Sequence, residues 1–283
     1  MTDTEIRDVS DTALWVAAYR AKESARPDAA FHDPLASVLI GERGKAIGET
    51  MPGSSLMEWV MVLRTVAIDR LIMNAISSGA DMVVNLGAGL DTRPYRLDLP
   101  SSMKWIEVDF PNIVELKNER LKDHAPKCEL QRISLDITQR EARATLGNII
   151  QSAKSVVVLT EGLLPYLDPQ VVNDLADDLR HMGNVHYWIQ DYFSGRMRGR
   201  SMRPWEKKLA AAPFKFILDD WLAFFTARHW QVAERIRLVD EARRLGRRPP
   251  FPWWRMLMFM LTPPHIRKRM QERNGYVMFK PVT

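Results

Sequence analysis

The stretch Met82-Val83-Val84-Asn85-Leu86-Gly87-Ala88-Gly89 closes an apolar run with Gly-x-Gly, the pattern of a buried parallel strand turning tightly towards a helix. Without Cβ atoms, Gly87 and Gly89 can take positive φ and let a ligand lie against the backbone through Ala88. A second run, Lys104-Trp105-Ile106-Glu107-Val108-Asp109, ends in a carboxylate about 20 residues later, where a Rossmann-type fold holds the acid that takes a ribose diol. Each feature has a plain alternative: a tight turn for the glycines, a strand-end residue for Asp109. Together they favour a nucleoside site.

The dinucleotide fingerprint wants a third glycine, and Thr92 stands at that position. The shorter Gly-x-Gly points away from a pyrophosphate and towards adenosine with a small charged tail. S-adenosylmethionine is the leading candidate, and an NAD-type oxidoreductase is the rival. Asp136-Ile137 follows the strand-like run Leu130–Leu135. Its carboxylate suits an adenine amine while the ring packs on Ile137, and Asp136 can equally cap a helix from Thr138. Glu161 follows the continuously apolar Ser155–Thr160, at the strand end where α/β sheets bind ligands. It would accept from a cofactor ammonium, face the methyl acceptor, or serve turn chemistry.

Arg64 interrupts an apolar helical stripe of Met57, Val60, Met61, Ala67, Ile68 and Leu71. A guanidinium there is costly unless something anionic meets it. Two readings stand: an internal salt bridge to Asp69 or Asp91, or a bidentate clamp on the cofactor carboxylate. Should the acceptor need a general base, Glu161, His186, Asp191 and Tyr192 lie near strand ends. No His/Asp/Glu cluster has metal-ligand spacing, so no metal is expected.

Asn85-Leu86-Gly87-Ala88-Gly89-Leu90-Asp91-Thr92-Arg93-Pro94-Tyr95 resembles the first motif of the leucine carboxyl methyltransferase-like superfamily. Val108-Asp109-Phe110-Pro111, Ser134-Leu135-Asp136-Ile137, Thr160-Glu161-Gly162-Leu163-Leu164-Pro165-Tyr166-Leu167 and the opening Tyr19-Arg20-Ala21-Lys22-Glu23-Ser24 extend the match, in order, from residue 12 to about 194. Ile137 departs mildly, since the family motif usually has Leu there. The resemblance implies S-adenosylmethionine as cofactor and Arg64 as the carboxylate clamp. It also implies a basic residue from Arg20, Lys22 or Arg26 near the cofactor carboxylate. The family's founding members methylate a protein C-terminus; the motifs here are closer to its bacterial small-molecule branch, whose acceptors include polyketides.

These residues need an α/β scaffold: a doubly wound Rossmann-like methyltransferase sheet with an N-terminal helical extension and a helical cap, in one domain. Residues 1–80 read as helices, with caps at Asp11 or Thr12 and at Asp33 before Pro34, and a glycine-rich loop from Gly41 to Gly53. Residues 81–194 form the cofactor-binding core. Segments 195–230 and 240–270 are expected to be cap or flap, the first with helices at Trp205–Leu209 and Asp219–Arg228; 231–239 and 274–281 hold the last strands.

The formal charge of +5 is modest. A single cysteine, Cys128, excludes a disulfide framework and is expected to pack. No secretory leader pattern and no run of 18 uncharged apolar residues is seen, so a cytoplasmic location is expected. Residues 243–269 carry eight basic side chains and no acid around Phe251–Leu261. That segment reads as a packed flap, a wall of the acceptor pocket, or a weak membrane-surface contact. A local basic cluster interleaved with apolar residues argues against nucleic acid. The sequence predicts an O-methyltransferase acting on a carboxyl or hydroxyl of an apolar small molecule, with a peripheral membrane-associated methyltransferase or binding protein as an alternative.

Overall fold

The computed structural model describes residues 9–50, 54–193 and 210–282. Seven strands form one sheet: β1 (Met82–Leu86), β2 (Lys104–Asp109), β3 (Glu129–Ser134), β4 (Val156–Thr160), β5 (Val185–Phe193), β6 (Trp230–Arg237) and β7 (Asn274–Pro281). Their order is β3-β2-β1-β4-β5-β7-β6. The first five run parallel, and β7 is antiparallel to both its neighbours. Strand order reverses between β1 and β4, which places the ligand crevice beyond their C-terminal ends.

Three N-terminal helices, α1 (Val9–Ser24), α2 (Pro34–Thr50) and α3 (Ser54–Ser77), precede the sheet. Short α4 (Arg93–Arg96), then α5 (Pro111–Arg120), α6 (Arg140–Ile150) and α7 (Pro169–His181) follow β1 to β4. The C-terminal third adds α8 (Trp221–Thr226), α9 (Leu238–Arg244), α10 (Trp253–Leu261) and α11 (Pro264–Gln271).

The two-residue period of a strand divides the core. Met82, Val84 and Leu86 meet Val172, Leu175, Ala176 and Leu179 of α7 on one face. Val83 meets Ala67, Ile68, Leu71 and Ala75 of α3 on the other. Buried on both faces, β1 and β4 have no polar side, hence their unbroken apolar runs. Cys128 packs beside this second cluster, and burial pushes its thiol up to about 11, so it is inert at neutral pH.

Two expectations change. Residues 41–50 are not a loop: α2 continues through them across a kink at Gly41, where φ is 57°. Gly41 turns the chain, whereas Gly44 and Gly48 serve packing. A Cβ on Gly48 would stand 2.8 Å from the Ala18 Cβ, so only Gly lets α2 lie against α1 while burying Leu39 and Ile47. Second, the expected cap over 195–230 is partly core. Trp221 and Phe225 of α8 are buried, and Trp188 stacks edge-on to Phe225 and Trp230 at 5.1 Å each. Pro213, Phe214 and Ile217 do line the cavity described below. The expected helix at Trp205–Leu209 lies outside the described residues.

Trp188 is fully buried and its Nε1 donates to Thr160 Oγ1 at 2.9 Å. Trp188→Ala should therefore lower unfolding free energy by about 3–5 kcal/mol, measured by urea unfolding with circular dichroism. A loss below about 1 kcal/mol would show that α8 and the sheet repack freely around the gap.

Candidate functional site

The crevice opens into a cavity of about 1880 Å³. Its floor is the turn after β1, where Gly87 and Gly89 hold φ of 64° and 48°. Gly87 N and Ala88 N donate to Val108 O, and Gly89 N donates to Asp109 Oδ2 at 2.6 Å. Phe110 N donates to the other carboxylate oxygen at 2.7 Å. Asp109 thus ties the ends of β1 and β2 together while lining the cavity. Burial pushes its carboxyl up, against the two backbone hydrogen bonds.

Asp136 and Ile137 also line the cavity. The Thr138 backbone N–H and hydroxyl both donate to Asp136 Oδ1, at 3.0 and 2.7 Å. Although burial works against it, that bonding holds the carboxyl below its ordinary value. The helix itself begins only at Arg140, so Asp136 caps a turn leading to it.

At the rim stands a buried ionic network. Arg64 Nε lies 2.7 Å from Glu161 Oε1, and its Nη1 lies 3.6 Å from Asp191 Oδ2. Glu161 Oε2 accepts from Arg93 Nη1 at 2.7 Å. Arg93 further donates to Asp91 at 2.8 Å and Asp69 at 2.6 Å, and Arg96 grips Asp69 with two bonds. Burial opposes ionisation of Asp91, Asp69 and Glu161, yet the neighbouring arginines hold all three below the ordinary carboxylate range. The internal ion-pair reading of Arg64 is met, but with Glu161 and Asp191. Asp69 and Asp91 are already taken by Arg93 and Arg96.

Asp191 differs from these. Its Oδ1 accepts from Gly162 N at 2.8 Å, and burial raises its carboxyl despite Arg64. Of the candidate bases, Glu161 is clamped between two guanidiniums, and Tyr192 lines the cavity but its hydroxyl accepts from Arg235 Nε at 2.7 Å. His186 lies elsewhere. It is the second residue of β5, exposed beside Ser155, at the strand end opposite the crevice. Asp191 is left as the acid that faces the cavity without a tight ion pair.

Of the three N-terminal cations, Arg20 alone lines the cavity. It donates to Asp33 at 2.9 Å, to Thr92 and to Leu90 O, bracing the glycine turn. Lys22 pairs with Glu58 and Arg26 with Asp28 outside it. Thr92, at the position of the missing third glycine, is fully buried and donates to Asp33 at 2.6 Å. Sequence reasoning assigned no role to Arg93 or Arg96; the available signal was two arginines in a short segment bordered by apolar runs.

Around the glycine turn the cavity carries Asp91, Asp109, Asp136, Glu161 and Asp191 against Arg20, Arg64 and Arg93. An excess of carboxylate in a low-dielectric crevice favours a ligand with net positive charge. Away from the turn the walls are mainly apolar, including Trp15, Val16, Met57, Val60, Phe214 and Phe259, with Arg243, Arg247, Arg248 and Arg255 along the C-terminal side.

Arg93→Met should cost about 3–5 kcal/mol at neutral pH, because Asp91 would lose its ion-pair partner while Asp69 keeps only Arg96 and Glu161 only Arg64. Depressed native carboxyls contribute stability that is present above their ordinary pKa and lost as pH falls through the native values. The gap between wild type and variant should therefore be full at pH 7 and smaller at about pH 3, narrowing only once pH falls below the ordinary carboxylate range. Urea unfolding at both pH values checks this; an equal gap would show that the pairing is not its source.

Residues 13–180, more than half the chain, match the family described as leucine carboxyl methyltransferase. A relative from Mycobacteroides abscessus, named as an S-adenosyl-L-methionine-dependent methyltransferase, is 32% identical over 185 residues, 60% of this chain and 61% of that one. A relative of the same description from Mycobacterium avium is 29% identical over 276 residues, 88% and 87% of the two chains. In the first relatives matched, the chain spans about three fifths of their length, 59% to 62%. A methyltransferase crystal structure from Thermobifida fusca superposes with a TM-score of 0.59 at 12% identity, over 100% of this chain and 97% of that one, a likeness of fold. The glycine turn, Asp109, Asp136 and Glu161 all fall within the matched span, and the chain belongs to the leucine carboxyl methyltransferase family.

Proposed function

We propose that the protein is an S-adenosylmethionine-dependent methyltransferase that methylates a carboxyl or hydroxyl oxygen of a large apolar small molecule. The observation that carries this reading is the acid-rich glycine turn opening directly into an apolar cavity. A sulfonium nucleoside with an ammonium tail matches the carboxylate excess, whereas a pyrophosphate does not. The buried Thr92 also favours this donor over a dinucleotide.

When bound, the donor supplies an electrophilic methyl on a sulfonium. The chain binds and orients. Asp109 has two acceptor sites engaged by backbone N–H groups, and a carboxylate offers about four, which leaves capacity for a ribose diol. Asp136 keeps Oδ2 out of its Thr138 contacts, suited to an adenine amine, with Ile137 as the packing surface. Arg64 and Glu161 would meet the opposite charges of a zwitterionic tail, and because they already pair with each other, the clamp reading of Arg64 requires the tail to join or replace that pair.

A drug-sized pocket occupies about 300–1,000 Å³. The 1880 Å³ found here has room for the donor and an acceptor of polyketide size. A carboxylate acceptor needs no base. A hydroxyl acceptor gives up a proton, and Asp191 is the group placed to take it.

Calorimetry should give micromolar binding of S-adenosylmethionine or S-adenosylhomocysteine and no heat with NAD. Asp109→Ala should weaken binding roughly tenfold or more, the value of a buried charged hydrogen bond. Unchanged affinity in the folded variant would move the site elsewhere.

Asp191 acts only when ionised, and its carboxyl lies above the ordinary range. For a hydroxyl acceptor, kcat/KM should rise with pH through that raised value. Asp191→Asn should remove this limb and cut kcat by about 10²–10⁴-fold. Retained turnover in the variant, measured with labelled donor, would assign a carboxyl acceptor.

A further inference from the structure

The α10 helix reads Trp253-Trp254-Arg255-Met256-Leu257-Met258-Phe259-Met260-Leu261, and none of its side chains is buried. Trp254, Met256 and Phe259 turn to the cavity. Trp253, Leu257 and Leu261, spaced i, i+4, i+8, lie outside its lining and are 76%, 44% and 76% exposed. A ligand filling the cavity would cover the first set and leave the second in water. A contiguous apolar face of this kind marks a contact surface.

The surrounding charge selects the occupant. Arg243, Arg244 and Arg247 are matched by Asp240, Glu241, Glu23 and Asp28. Arg248, Arg255, Lys268 and Arg269 are exposed, with no carboxylate in ion-pair contact among the described residues. No acid occurs in the sequence from Arg243 to Gln271. Arg255 also stacks over the Trp254 ring at 5.3 Å. A second copy of the same face would set these cations against one another. An anionic lipid surface meets both features, headgroups for the cations and the acyl boundary for Trp253, Leu257 and Leu261.

We propose that α10 is an interfacial helix that seats this side of the cavity on an anionic bilayer. Among the described residues no helix is long and apolar enough to cross a membrane, and the proposed contact is peripheral. It does not rest on methyl transfer, and its test needs no donor.

Full-length protein should sediment with vesicles of phosphatidylcholine and phosphatidylglycerol, and at least about tenfold less with phosphatidylcholine alone. Binding should fall as salt rises, because exposed charge is screened. The double variant Trp253→Glu/Leu261→Glu removes only exposed side chains, so it should keep the thermal midpoint and lose sedimentation. The charge-reversed Arg248→Glu/Lys268→Glu should lose it too with the apolar stripe intact. Equal binding to both vesicle types, unchanged binding of either variant, or a concentration-dependent dimer abolished by the first variant would overturn the proposal.

Discussion

The structure turns on the Arg93 guanidinium. It holds Asp69 of α3, Asp91 of the turn after β1 and Glu161 beyond β4, and Glu161 passes the linkage to Arg64, which faces Asp191 on β5. These elements are distant in sequence, and the network ties α3 and the turn after β1 to strand ends that the sheet register already brings together. Taking so many charges out of water costs several kcal/mol per ion, and well-packed apolar residues would often serve stability as well. The network is better understood as alignment: each strand end is held where an unpaired partner would be heavily penalised.

A second tie works beside it. Asp109 joins the end of β2 to the glycine turn through Gly89 N and to its own exit through Phe110 N. The same carboxylate is both a brace and a candidate ligand group, because a carboxylate has more acceptor sites than the backbone uses. Preorganisation follows: the turn is set before any ligand arrives. The N-terminal helices complete the site, with Arg20 bracing the turn from α1 and Arg64 entering from α3. Trp15, Met57 and Val60 from the same helices form part of the apolar wall. The extension is part of the cavity wall, not an appendage.

The C-terminal third has two fates. The α8 helix carries Trp221 and Phe225 into the core beside Trp188 and Trp230. The α10 helix, equally apolar, finds no such partner and remains exposed. What separates them is position. Residues 221–226 run directly into β6, the edge strand paired antiparallel with β7, whose face needs covering. Residues 253–261 lie between β6 and β7, on the side where the cavity replaces the core.

By itself the sequence determined the sheet. Seven apolar or alternating runs, the Gly-x-Gly break after Leu86 and the acid about 20 residues on are local features, and local periodicity is what burial between two helix layers imposes. Family membership was legible for the same reason, since its motifs are these strand ends. Whatever depended on partners far along the chain was decided only by tertiary structure. Gly48 reads as loop punctuation, yet its role is contact with Ala18 of α1, which no window over α2 contains. Arg64 called for an anion, and the sequence offered Asp69 or Asp91; the fold instead brings Arg93 and Arg96 to those two and Glu161 and Asp191 to Arg64. His186 and Asp191 share one strand, and the nine-residue length of β5 sets them at opposite ends of the sheet. A buried charge advertises its cost in sequence; which opposite charge meets it is fixed by packing.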